Sequence, residues 1–348
     1  MPVLDGLEHP IVQAPLAGGP STPALAWAVC EAGALGFLAA GYKPPAAVRD
    51  DVETLRGLTV RPFGLNLFAP PTGPADDAAI EAFAGTLQAD SERAGVALGR
   101  PRRDDDGWEE KLALAVEARV PVVSFTFGAP SADVVELLHT AGCEAWVTVT
   151  GPGEARLARD AGADVLVVQG VEAGGHRATF DDDAGADLGV LAALQLVGAA
   201  VELPLVATGG IATGAAIAAV LAAGASAAQL GTAFMRTPEA GTAPAHREAL
   251  AGGEPTALTR AFTGRTARGV VNRFLREHTE GAPRGYPEVH HLTAPLRTAA
   301  REQGDTDGFH LWAGQAHALA PDAPAGELVA RLAAEAGEAL EAARRRVG

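Results

Sequence analysis

Asp160-Ala-Gly-Ala-Asp-Val-Leu, residues 160–166, reads as a helix that stops on a glycine and feeds straight into a strand, and the phrase recurs. Glu31-Ala-Gly-Ala-Leu-Gly-Phe, Thr140-Ala-Gly-Cys-Glu-Ala-Trp and Ala222-Ala-Gly-Ala-Ser-Ala-Ala repeat it. In each, Gly33, Gly142, Gly162 or Gly224 can take the left-handed conformation that ends a helix, and apolar strand residues follow. Repeated joints of this kind predict a parallel sheet with helices outside it.

Eight strands are expected before residue 236: Ile11–Pro15, Gly36–Ala39, Phe63–Leu67, Val122–Phe127, Ala145–Thr150, Val165–Val168, Leu205–Thr208 and Ala227–Thr232. Eight closes a TIM (β/α)8 barrel, so the fold class is α/β. Helices are expected at Pro23–Ala32, opened by Ser21 and Thr22, and at 132–140, 153–160 and 213–223. An open doubly wound sheet fits less well. Its nearest dinucleotide fingerprint, Gly209-Gly-Ile-Ala-Thr-Gly, follows the seventh strand and lacks the Gly-x-Gly-x-x-Gly spacing. The expected division is a barrel over 1–235 and a C-terminal lid segment over 236–348. Residues 69–106 and 236–295 interrupt the rhythm, the latter as helical and loop material, and read either as a lid or small second lobe or, equally simply, as surface ornament. Leu328, Leu332, Ala336 and Leu340 give the tail a helical stripe suited to docking on the barrel or to a homodimer.

The 348 residues, 48% of them hydrophobic, can bury a large core, and the net charge of -16 argues against nucleic acid. Arg344–Arg346 reads as a solvated helix end. Cys30 and Cys143 lack ligand spacing and are expected as buried thiols in a reducing compartment. No secretory segment or membrane span is evident, so the expectation is a cytoplasmic enzyme or binding protein for a small molecule, with no metal.

Val168-Gln-Gly-Val-Glu-Ala-Gly-Gly-His-Arg places Gly174 and Gly175 just past a buried strand, where a backbone without Cβ can approach a ligand closely. His176 follows as a candidate acid/base group, with a backbone-capped loop histidine as the plainer reading. Thr208-Gly-Gly-Ile-Ala-Thr-Gly and Gln229-Leu-Gly-Thr-Ala-Phe, one βα unit apart, offer paired N–H groups to a phosphate, with Thr232 adding a hydroxyl. Asn66 ends the third strand and is expected to turn its amide into the mouth, where it can read a flavin edge. His290 and His291 read as loop residues near the site, since adjacent histidines rarely share one ion. Asp181-Asp-Asp reads as a solvated loop, and Trp312 as either core or pocket wall.

The chain resembles the nitronate monooxygenase family, formerly the 2-nitropropane dioxygenases. The resemblance covers most of the chain and rests on His9-Pro-Ile-Val-Gln-Ala-Pro with Gly18-Gly-Pro-Ser-Thr-Pro, Gly64-Leu-Asn-Leu-Phe, Gln169-Gly-Val-Glu-Ala-Gly-Gly-His-Arg, Ala207-Thr-Gly-Gly-Ile and Gln229-Leu-Gly-Thr-Ala-Phe. Tyr286-Pro-Glu-Val-His-His-Leu-Thr and Leu311-Trp-Ala-Gly-Gln extend it. It implies FMN on a TIM barrel, oxidation of nitronates with dioxygen through a flavin semiquinone, and His176 as base for neutral nitroalkanes. The flavin contacts implied or adjoining these motifs are Ala14, Leu16, Asn66, Gln169, Gly174, Gly175, Gly209, Gly210, Gln229, Leu230, Gly231 and Thr232. Leu16 stands where relatives usually carry methionine. A flavin-dependent enoyl reductase or nicotinamide quinone reductase is the rival enzyme; a flavin- or phosphate-binding barrel without redox turnover, or a phosphosugar enzyme, is the rival of another class.

Overall fold

A computed structural model describes residues 2–183 and 187–348. Among them are eleven strands: β1 (Ile11–Gln13), β2 (Phe37–Ala39), β3 (Gly64–Phe68), β4 (Val122–Thr126), β5 (Glu144–Val149), β6 (Val165–Gln169), β7 (Gly175–His176), β8 (Leu205–Thr208), β9 (Ala227–Leu230), β10 (Thr256–Thr259) and β11 (Ala267–Val270). Eight of these form one parallel sheet in the order β1-β9-β8-β6-β5-β4-β3-β2. The ring closes where Val12 bridges Leu35, with Gln13 N donating to Leu35 O at 2.8 Å and Leu35 N to Ile11 O at 3.0 Å. The architecture is the TIM (β/α)8 barrel expected from the αβ joints.

Strand alternation explains how this barrel carries both a core and a site. Inward positions near the amino ends are apolar: Val12, Phe37, Val122, Trp146, Val165, Val167, Val206 and Ala227 form one cluster, with Val3, Leu4 and Leu7 packed on it from below. Gly64 is required there, because a Cβ would lie 2.2 Å from the Phe37 ring. The next inward positions toward the carboxyl ends are polar, Asn66, Ser124, Thr148, Gln169, Thr208 and Gln229, and all are buried. Outward residues such as Leu166, Val168 and Leu230 join the layer between strands and helices.

The C-terminal helix, Ala325–Val347, buries Leu328, Leu332 and Ala336, whereas Leu340 is 40% exposed. It packs on the helices Gly214–Ala222 and Pro23–Glu31. The contact with the first is close: a Cβ on Gly214 would lie 2.2 Å from Glu335 Cβ, and Glu335 Oε2 accepts from Gly214 N at 3.1 Å. Most of the apolar stripe of the tail is therefore satisfied within the chain.

The two interruptions of the barrel meet each other above its mouth. Helices Asp77–Thr86 and Gln88–Ala94 bring Ile80, Phe83 and Leu87 to Phe262, Phe274, Val289, Leu292 and Leu296 in a separate small core. The stretch after the eighth barrel strand holds more than helices and loops. In it β10 and β11 pair antiparallel, and β11 pairs with β7, Ala267 opposite His176. The lid thus grips the segment that carries His176. Residues 181–183 form a part-solvated loop that joins that grip, with Asp181 and Asp183 exposed and Asp182 turned in. The Asp182 side chain is 4% exposed and pairs with Arg260 at 2.7 Å, while Asp183 pairs with Arg284 at 2.6 Å.

His290 and His291 lie on the lid helix Glu288–Gln303 rather than in a loop. Pro295 inside this helix withholds the N–H that the His291 carbonyl would accept. Gly99 approaches that carbonyl so closely that a Cβ would sit 2.0 Å from it, and Gly99 N donates to Leu292 O at 2.9 Å. The first insertion thus docks on the helix beside the freed carbonyl, and the helix continues through the proline. Among the described residues, no helix is long and apolar enough to cross a membrane.

Candidate active site

A cavity of about 580 Å³ opens at the carboxyl ends of the barrel strands, roofed by the lid. Of the residues singled out from sequence, Ala14, Leu16, Asn66, Gln169, Gly174, Gly175, His176, Gly209, Gly210, Gln229, Gly231 and Thr232 line it. Leu230 does not. It follows the inward Gln229, so alternation turns its side chain into the outer core, and only its carbonyl serves the mouth region, accepting from Ala14 N at 2.8 Å.

His176 is open to the cavity and otherwise walled by protein. The rings of Phe127, Tyr286 and Trp312 have centroids 5.6, 5.9 and 5.6 Å away. Its Nε2 lies 2.9 Å from Thr263 Oγ1, and that hydroxyl lies 3.2 Å from the Arg265 carbonyl. Donating to the carbonyl, the hydroxyl accepts from Nε2–H, which leaves Nδ1 as the nitrogen with a lone pair. Burial first, then the charges of Arg265 and Arg297, push the imidazole down to about 3. His176 is therefore neutral over the physiological range, with a lone pair free to take a proton, while the same burial weakens it as a base.

Gln169 holds this group in place. Its Nε2 donates to His176 O at 3.0 Å, and its Oε1 accepts from Ala178 N and Arg177 Nη1, both at 3.0 Å. Asn66 has its amide donors similarly engaged: Nδ2 lies 2.9 Å from Ser124 Oγ and 3.0 Å from Thr126 Oγ1, so its donor side is committed to β4. The side chains of Gln229, Thr148 and Thr208 differ, since each lines the cavity, is buried, and makes no hydrogen bond among the described residues. Buried polar groups without protein partners call for a ligand or water.

The two glycine loops also converge. Gly209 and Gly210 have φ of 123° and 67°, so successive N–H groups can face one anion, and across from them Gly231 leads into the 3-10 turn Thr232–Phe234. Leu16 stands beside that glycine, its Cδ2 3.3 Å from where a Cβ on Gly231 would lie. The Thr232 hydroxyl accepts from Gly314 N at 3.0 Å and ties the 311–317 stretch to the barrel. The glycine pair after β6 divides its work. A Cβ on Gly174 would meet Gly314 N at 2.4 Å, whereas Gly175, at φ 74°, would meet nothing within 4 Å. At 174 the absent Cβ makes room for the chain's own backbone at 313–314.

Sequence reading missed Thr148, Thr263, Tyr42, His246, Arg297, Arg301 and His310, and named Thr208 only as the start of a glycine loop; all of them line the cavity. Thr148 and Thr208 sit at inward strand ends, a position the alternation of β5 and β8 identifies, whereas Thr263 lies in the turn between β10 and β11. Burial holds three cavity histidines low besides His176: His246 at about 4, His290 at about 2, and His310 well below its ordinary value. The unfolded chain takes up protons near pH 6.5 that the folded chain refuses, so stability is lost as pH falls below that value and is insensitive to these groups above it. Thermal melts are expected to hold a plateau above about pH 7 and fall steeply toward pH 4; a midpoint unchanged to pH 4 would contradict the assignment.

The sequence matches the model of a family described as nitronate monooxygenase over residues 3–335. It is 42% identical to a nitronate monooxygenase of Pseudomonas aeruginosa, with 95% of this chain and 97% of that protein covered. Its structure superposes on a nitroalkane oxidase from Streptomyces ansochromogenes with a TM-score of 0.95 and 51% identity, covering 98% of this chain and 99% of that one. FabK from Thermotoga maritima is less similar, with a TM-score of 0.78 and 27% identity over 99% of this chain and 97% of that one.

Proposed function

Because this chain belongs to the nitronate monooxygenase family, we propose that it is a flavin-dependent oxidoreductase that converts alkyl nitronates, with dioxygen, to a carbonyl compound and nitrite. The observation that carries the reading is the meeting of His176, the unpartnered Gln229 and two glycine loops in one cavity. In this reading the cofactor is FMN. The N–H groups around Gly209, Gly210 and Gly231 would hold its phosphate, and Gln229, Thr148 and Thr208 would meet the polar edge of its ring system. When bound, the flavin accepts electrons from the nitronate and passes them to dioxygen.

The remaining steps belong to the chain's own residues. A nitronate is already deprotonated at carbon, so it requires positioning and no base. A neutral nitroalkane requires removal of the proton α to the nitro group, and Nδ1 of His176 is the acceptor this site provides. The Phe127, Tyr286 and Trp312 rings around it exclude water, which keeps the imidazole neutral and strengthens its attraction to the anion it creates. The buried free thiols Cys30 and Cys143 suit the reducing cytoplasm in which we place the reaction. Incubation with ethyl nitronate in air is expected to consume oxygen and release nitrite, and the flavin freed by heating is expected to have the mass of the mononucleotide. The absence of both oxygen uptake and nitrite would sink the reading; a dinucleotide mass would overturn the cofactor.

A further inference from the structure

The chain carries a net charge of -16, yet no Asp or Glu is among the described residues that line the cavity, whereas Arg297 and Arg301 both are. They lie one turn apart on the lid helix Glu288–Gln303 and share a face with His290 and Thr298. Arg297 is 6% exposed and Arg301 stands at the opening. Among the described residues neither has a carboxylate within 4 Å. A buried guanidinium without an anionic partner is uncommon, because desolvation is then offset only by neutral acceptors.

Those neutral acceptors do not suffice. Arg297 Nε donates to Thr293 Oγ1 at 3.0 Å, and its Nη2 donates to His290 O at 2.8 Å and lies 3.2 Å from His290 Nδ1. The other arm, Nη1, lies 3.5 Å from His310 Nδ1, and Arg301 Nη2 lies 3.3 Å from His310 Nε2. A neutral imidazole has one accepting nitrogen, so one of the two guanidinium groups faces an N–H on His310. The cluster has more donors than acceptors at the wall of an open cavity. Burial without an acid also draws Arg297 down to about 10.

We propose that Arg297, Arg301 and His310 form an anion subsite in the lid, separate from the glycine loops, that takes a small planar oxyanion. Two oxygens on one centre match two guanidinium arms and the surplus N–H of His310. The chemistry is shared by the nitro head of a nitronate, by nitrite, and by a carboxylate elsewhere on the substrate. Trp312 contacts both His310 and His176, with centroids 4.9 and 5.6 Å away, so an anion here is close to the proposed base. The identity of the natural anion rests on the nitronate reading; the existence of the subsite does not.

The test titrates the flavin-loaded protein with sodium nitrite and sodium acetate at constant ionic strength, reading the thermal midpoint and the visible spectrum. Saturable stabilisation is expected, weakened about tenfold or more in Arg301→Gln, whose exposed position protects the fold, and in Arg297→Lys, which keeps the charge and loses the fork. Affinity for neutral 1-nitropropane should change less than about twofold. Turnover of alkyl nitronates with and without a terminal carboxylate then separates the sources: a rise in KM for both in Arg301→Gln marks the nitro head, and a rise only for the carboxylated one marks the tail. Nitrite binding that is absent, or unchanged in both variants, overturns the subsite even if nitronates turn over. Nitrite binding as expected with no nitronate oxidation overturns the proposed function and leaves the subsite standing.

Discussion

His176→Asn is expected to lower kcat/KM for neutral nitroalkanes by about 10²- to 10⁴-fold, the range typical of a lost general base, and to lower it for preformed nitronates by less than about tenfold. The difference follows from where the proton is. Asparagine keeps a donor near Thr263 Oγ1, 2.9 Å from His176 Nε2, but has no basic nitrogen to replace Nδ1. With the imidazole held at about 3, the nitroalkane activity of the parent should show no acid limb from this group between pH 5 and 8. Steady-state rates on both substrates check the claim, and equal losses on the two would remove His176 from the role of base.

Gly174→Ala is expected to destabilise the protein by about 2–4 kcal/mol, because its methyl would stand 2.4 Å from Gly314 N and 2.5 Å from Ala313 C. Backbone cannot rotate aside as a side chain can. Either the strand segment or the 311–317 stretch must move, and movement of the latter breaks the Gly314 N to Thr232 Oγ1 bond at 3.0 Å. Weakened flavin retention should accompany the fall in melting temperature. Gly175→Ala is the control: it meets nothing within 4 Å and bears only the strain of a left-handed alanine, about 1–2 kcal/mol. A larger effect at 175 than at 174 would show that the glycine pair serves the ligand and not the lid.

The barrel was legible because its signals are local. Glycine-terminated helices announce β2, β5, β6 and β9, and Leu205–Thr208 runs as expected, while Ala227–Thr232 is two residues too long because Gly231 and Thr232 already belong to the turn. The misplacement of Leu230 has a simple origin: a contiguous motif was read as a contiguous surface, where strand period 2 admits Gln229 and excludes its neighbour. Gly174 was recognised as a close-approach position, but its partner lies some 140 residues on, at Gly314. The lid was the least legible part. The sequence marks no helix bounds over Glu288–Gln303, and without that helix Arg297 and Arg301 have no common face. His290 likewise shows its role only in three dimensions, stacked on Tyr42 with centroids 4.3 Å apart. Asp182 could not be told from its exposed neighbours Asp181 and Asp183, because Arg260, which pairs with it in the interior, comes from the lid.

The most direct measurement is the visible absorption of the flavin-loaded protein during rapid anaerobic mixing with an alkyl nitronate, alongside the same mixing with NADH. Loss of the oxidised flavin bands with the nitronate, and its absence with NADH over the same time, is the expected result. Bleaching by NADH alone would contradict the proposed function and move the protein to the nicotinamide-dependent reductases of the same barrel.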